Sequence, residues 1–259
     1  MRLRAIALNT FSGLVRDRMI VILCALFGCI MLLMLSPLNS MRSLASDPTM
    51  ESTVLGFVAV MMSLASGFGS LLAAWSSANA ASSEMRSGTI LAVMARPVPR
   101  WEYLLGRFLG VQMLMAVFVV FLFGFTYLTA AIGGQSIKAP FWALIAYPAV
   151  RYLLYGALGT MLGARLHPVL TFGIVVMLAM AAMFLSGRDL PGFFAVIVYT
   201  LLPVTNLLGE ARFVGLTSAT LKPIPWTDHA TALAYGVDHA VVFFLLAVLF
   251  FRHRSLTRD

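Results

Sequence analysis

Charged side chains are scarce in this sequence, and two of them sit inside long apolar runs. Arg151 lies about ten residues into the run 141–163, and Asp238 about eight into the run 230–251; at about 1.5 Å per residue both would lie roughly 12–15 Å deep in a bilayer. An isolated charge at that depth is expensive, and pairing is the usual remedy. One expectation is therefore an Arg151–Asp238 ion pair that holds two spans in register. The other reading sets Asp238 and His239 nearer the outer interface, with Arg151 facing a polar cavity or Tyr155. A second concentration of polar groups is the stretch 79–107, NAASSEMRSGTILAVMARPVPRWEYLLGR. Its acids and arginines bracket a short apolar stripe, Ile90, Leu91, Val93 and Met94, at roughly helical spacing.

Neither group of residues matches known catalytic grammar. No phosphate-binding loop of the GxxxxGK[ST] kind occurs, and no nucleophile constellation. A lipid transferase of the CDP-alcohol type would need clustered aspartates near a cytoplasmic loop, whereas the 79–107 stretch offers Glu84 before its prolines and Glu102 after them. An intramembrane protease would need HExxH, GxS or paired aspartates within spans, and the spans carry none. Cys24 and Cys29 are five residues apart on one helix and point in different directions, so they read as small buried apolar side chains. The four histidines and two cysteines have no ligand spacing, so no metal site is expected. The expectation is a chain that is not itself an enzyme.

What must position these residues is a membrane bundle. Of the 259 residues 61% are hydrophobic and 11% charged, with a mean hydropathy of +0.93, against about 45–50% and about 25% in soluble domains. Apolar runs of 17 residues or more recur, which a polytopic membrane protein explains. The net charge of +8 is nearly all arginine beside apolar runs. It therefore speaks for topology and anionic lipid rather than nucleic acid.

The expected fold class is all-α, a single membrane domain over 1–259. Residues 1–18 form a basic amphipathic helix in the membrane interface, with Leu3, Ile6, Ala7, Phe11, Leu14 and Val15 on one face. Six spans follow at about 19–36, 53–76, 102–132, 141–163, 169–186 and 230–251. The first is read as an uncleaved span rather than a secretory signal. Ser66, Ser70 and Ala74 in the second span, and Gly159 and Gly163 in the fourth, have the small-xxx-small spacing that lets helix backbones approach in lipid. Between the second and third spans, Ser82-Ser83-Glu84 reads as a helix start, and Pro97 and Pro99 stop that helix. Residues 187–229 form an irregular region, in which 193–202 is apolar but too short to cross and reads as an interfacial or re-entrant segment. Arginine placement puts both termini and the stretch 79–107 in the cytoplasm, and 187–229 outside.

The central stretch resembles the signature region of exporter-type (type-2) ABC transporter permeases. The matching elements are Glu84, Gly88-Thr89, the apolar residues through Met94, Arg96-Pro97-Val98-Pro99-Arg100, and Leu104-Leu105-Gly106-Arg107. The amphipathic start, the six-span count, the irregular region before the last span and the lack of an ATPase domain are similar too. The subgroup most resembled is that of the short permeases found with nitrous-oxide reductase maturation and gliding motility. The resemblance implies a permease in the bacterial inner membrane, a second permease copy (a homodimer or a pair), and a dimer of separate ATPase subunits that bind the ATP and magnesium. A coupling helix from Glu84 to Ala95 would seat in the ATPase, with Glu84, Arg86, Gly88, Thr89, Arg96 and Pro97 as the coupling residues. No cofactor is expected in this chain. The few polar residues in the spans suit an amphipathic, lipid-like or peptide substrate. The alternative is a non-transporting component that transmits ATPase motion to a partner outside.

Overall fold

In lipid the backbone has no water to bond to, so a chain of this composition satisfies its amides by forming helices. The computed structural model describes residues 2–42, 48–87, 99–132, 141–185, 192–193 and 225–252. Within them it contains seven helices: α1 Arg2–Val15, α2 Arg18–Arg42, α3 Pro48–Ser87, α4 Arg100–Ile132, α5 Phe141–Gly163, α6 Pro168–Leu185 and α7 Trp226–Arg252. Among the described residues three stretches are long and apolar enough to cross a membrane: Val60–Ala80, Arg100–Leu128 and Trp226–Arg252. Shorter apolar helices cover Leu3–Val15, Arg18–Leu33 and Pro168–Ala182. The region expected to be irregular, 187–229, lies outside the described residues except for 192–193 and 225–229.

Two helices run further than local sequence signals suggest. α2 continues through Pro37 to Arg42, although a loop is expected from Pro37; a proline removes one backbone hydrogen bond, a loss that membrane helices tolerate. The larger difference is α3, a single helix of 40 residues, about 60 Å long and therefore longer than a bilayer core is thick. It passes without a break through Ser82, where a new helix is expected to begin. The reason is visible at the side chain: the buried Ser82 hydroxyl donates to the Ala78 carbonyl one turn back, at 2.9 Å. A serine placed to cap a new helix would accept from an amide ahead of it instead. At the α1–α2 corner the capping signal does operate: the Asp17 carboxylate accepts from the Met19 amide at 3.0 Å.

α5 is the axis of the bundle. Ala143, Leu144, Tyr147, Tyr152, Leu154, Tyr155, Ala157 and Leu158 are all buried, as befits a helix enclosed nearly all round. It packs closest on α3, where a side chain on Gly159 would run into the Ala74 carbonyl and one on Gly163 would come within 2.7 Å of Ala78 Cα. Water-driven burial contributes nothing between helices in lipid, so contact of this closeness supplies the dispersion energy that holds them together. On its other side α5 meets α7, whose buried positions His229, Ala232, Gly236, Ala240, Phe243, Ala247 and Phe251 follow helical spacing. Tyr147 and His229 share a buried hydrogen bond of 2.7 Å across this contact, and Trp142 meets the His229 ring edge-on at 5.0 Å.

Candidate functional site

The last residues of the stretch 79–107 form the first turns of α4, and they are tied to several other helices. Gly106 and Gly110, four residues apart, leave a flat track on which α1 lies. A Cβ on Gly106 would stand 2.7 Å from the Ile6 side chain, and one on Gly110 would stand 2.6 Å from the Ala7 carbonyl oxygen. The face of α1 turned to this track holds Ala7, Thr10 and Leu14, all buried, while Leu8 and Val15 are exposed. α1 is thus amphipathic as expected, but its buried face is packed on another helix.

Arg107 lies between the two glycines and is only 9% exposed. Its Nε donates to the Tyr103 hydroxyl at 3.2 Å, and its Nη1 donates to Thr10 Oγ1 at 3.4 Å. Thr10 Oγ1 in turn donates to the Ile6 carbonyl at 2.9 Å. One guanidinium thereby joins α4 to α1 through a chain of hydrogen bonds in which each link polarises the next. Tyr103, itself 2% exposed, stacks on Phe251 of α7 with centroids 6.1 Å apart.

Arg100, at the first position of α4, reaches the other end of the chain. Its Nη1 donates to the Arg252 carbonyl at 2.9 Å and the Phe251 carbonyl at 3.5 Å. These are among the last carbonyls of α7, which have no partner within their own helix, and a cation there also meets the negative end of the helix dipole. Arg165, beyond the end of α5, lies 4.9 Å from the centre of the Phe250 ring. The start of α4, the end of α5 and the end of α7 are therefore gathered at one end of the bundle, around Leu104, Ala164, Ala247 and Phe251. The far end of α3 arrives there too: Asn79 and Ala80 share a cleft with Asn9, Arg16 and Arg107.

The expected coupling residues divide around this cluster. Glu84 and Arg86 belong to the last turn of the α3 backbone, whereas Gly88, Thr89, Arg96 and Pro97 lie outside the described residues. In the sequence Arg100 and Arg107 stand out only as parts of the signature region, and Thr10 not at all. The spacing Gly106-Arg107-Phe108-Leu109-Gly110 could have flagged the docking track for α1.

The two charges within apolar runs do not meet. Among the described residues no ion pair joins Arg151 to Asp238. Arg151 is half-buried on α5 and its Nη1 donates to Ser66 Oγ of α3 at 3.3 Å, while its Nε is buried without a hydrogen-bond partner. Asp238 is exposed. Helical geometry accounts for this, since Asp238 stands two residues from both Gly236 and Ala240, about 200° away from the stripe that α7 turns to the bundle. Among the described residues no group of three His, Cys, Asp or Glu side chains could hold a metal.

What this arrangement can do is mechanical: it binds the start of one helix to the ends of several others. No curated protein matches the chain. A family model described as ABC-2 family transporter protein matches residues 4–256, from the helix docked on the glycine track to the tail that follows the capped end of α7. With an all-helical bundle, apolar helices of membrane-crossing length and a match over nearly its whole length, this chain belongs to the ABC-2 family of transporter membrane proteins.

Proposed function

We propose that this chain is the membrane-spanning permease of an exporter-type ABC transporter, moved by separate ATPase subunits that press on residues 84–97. In this reading it has six spans, lies in the bacterial inner membrane with both termini in the cytoplasm, and works with a second copy of itself. Glu84, Arg86, Gly88, Thr89, Arg96 and Pro97 contact the ATPase. ATP and magnesium are held by that partner.

The observation that carries the proposal is the anchoring of α4 at its first turns. A push on the segment before Pro99 arrives at Arg100, which holds the end of α7, and then at Arg107, which holds α1. Force applied at one place is shared at once among three helices, which is what rigid-body switching of a packed bundle needs. The arginines at this end, Arg100, Arg107, Arg165 and Arg252, support the cytoplasmic assignment by the positive-inside rule.

The test is affinity purification of the full chain from membranes, followed by reconstitution in liposomes. An ATPase subunit is expected to co-purify, and Glu84→Ala and Gly88→Val are expected to weaken its retention without changing the melting temperature of the chain itself. If no ATPase is retained, or if both variants hold it as well as the parent, the permease reading fails. Retention with ATP hydrolysis but no substrate movement would favour a component that transmits motion without transporting.

A further inference from the structure

At the same end of the bundle a cleft of about 370 Å³ opens between α1, the end of α3 and the start of α4. Its wall carries Asn9, Ser12, Arg16, Asn79 and Arg107, together with Asp17. The hydrogen-bonding groups come from three different helices, and Arg107 is fixed in place by Tyr103 and Thr10. Asp17 is the wall's one acid, with its carboxylate turned to the start of α2, and against it stand the guanidinium groups of Arg16 and Arg107, so the formal charge of the wall is positive. Arg16 is exposed and makes no ion pair among the described residues. The chain leaves the cleft into α2, where Met19, Ile22, Leu26 and Leu33 share one face and are 58%, 61%, 58% and 72% exposed. Amide, hydroxyl and guanidinium donors around a positive hollow suit a phosphate group. The bare apolar face that follows suits acyl chains.

We propose that this cleft seats the phosphate headgroup of an anionic phospholipid, with its acyl chains along the exposed face of α2. The bound lipid bridges α1, α3 and α4 and so braces the docked position of α1. The proposal needs only that the chain be embedded in a bilayer; it is independent of the ATPase reading, and its test involves no nucleotide or partner.

The experiment is native mass spectrometry of the delipidated full chain, titrated with phosphatidylglycerol, with phosphatidylcholine of the same acyl chains, and with inorganic phosphate. Preferential retention of one phosphatidylglycerol is expected. Arg16→Gln should weaken it roughly tenfold, the scale of one charge-assisted hydrogen bond, while Arg4→Gln, an exposed arginine of α1 outside the cleft, should leave it unchanged. Because Arg16 is exposed, its replacement leaves the fold intact, and melting temperature without lipid serves as the check. Equal retention of both lipids, or equal loss on changing Arg4 and Arg16, would show diffuse attraction rather than a site. Inorganic phosphate displacing the lipid at millimolar concentration would identify a free-anion site. Each of these results overturns the proposal.

Discussion

The seam between α3 and α5 and the basic end of the bundle are held together by different means. At the seam, Gly159 and Gly163 bring the α5 backbone onto Ala74 and Ala78, and the Arg151–Ser66 hydrogen bond lies about two turns further along it. Three polar atoms nearby, Ser76 Oγ, Ser77 Oγ and Gln112 Nε2, are buried without hydrogen-bond partners. At the basic end the named polar groups are engaged, Arg100 with the carbonyls of α7 and Arg107 with Tyr103 and Thr10. Dispersion contacts depend on shape and tolerate small sliding, whereas directed hydrogen bonds fix both distance and angle. The molecule therefore combines a clamp of directed bonds at its basic end with a seam held chiefly by close backbone packing.

The strongest challenge to this contrast is steric. Gly159→Val drives a side chain into the Ala74 backbone, and overpacking against main chain should cost about 3 kcal/mol or more. Thermal unfolding in detergent reads it, with Gly28→Val as the control, since beyond its own turn of helix a Cβ there would meet nothing within 4 Å. Equal melting of the two variants would mean that the seam is loose.

Next comes the clamp itself. Arg107→Ala strands the groups it serves and should destabilise by about 2 kcal/mol. Arg107→Lys should recover little, because one ammonium cannot reproduce the forked contacts of Nε and Nη1. Hydrogen exchange should show the loss first in α1. Full rescue by lysine would reduce Arg107 to a mere positive charge.

A smaller effect is expected at the chain end. Arg100→Ala removes the cap on α7 and should cost about 1 kcal/mol, read as faster exchange confined to the last turn of that helix. Uniform acceleration along α7 would show that Arg100 supports more than its end.

The smallest effect carries the contrast in its sign. Ser77→Ala deletes a hydroxyl that has no partner, so melting should be unchanged or slightly higher. A marked loss would reveal that the seam polar groups are committed after all.

Helical periodicity made the close-packing faces legible: Ala74 and Gly159 stand out as small residues at the right spacing, and they meet in the bundle. The break expected at Ser82 was misleading because serine and glutamate favour helix starts, yet inside a helix a serine hydroxyl can bond back one turn. The Arg151–Asp238 expectation weighed depth along the axis and left out angle around it. Counting from Gly236 and Ala240 would have turned Asp238 away from the bundle. The docking of α1 is a different case. Its apolar face is evident in the sequence, but lipid and protein satisfy such a face equally well, and only the Gly106–Gly110 track chooses between them.

By itself, then, the sequence determined what is local or additive: a helical membrane chain, the small-residue faces and the concentration of arginine near certain helix ends. Hydropathy and a 3.6-residue turn suffice for these. Tertiary structure alone decided the partners. Arg107 meets Thr10 across 97 residues of chain, and Arg100 meets the Arg252 carbonyl across 152. Contacts of that separation are set by the packing of the whole bundle, because a residue's own neighbours fix the direction of its side chain but not what lies in front of it.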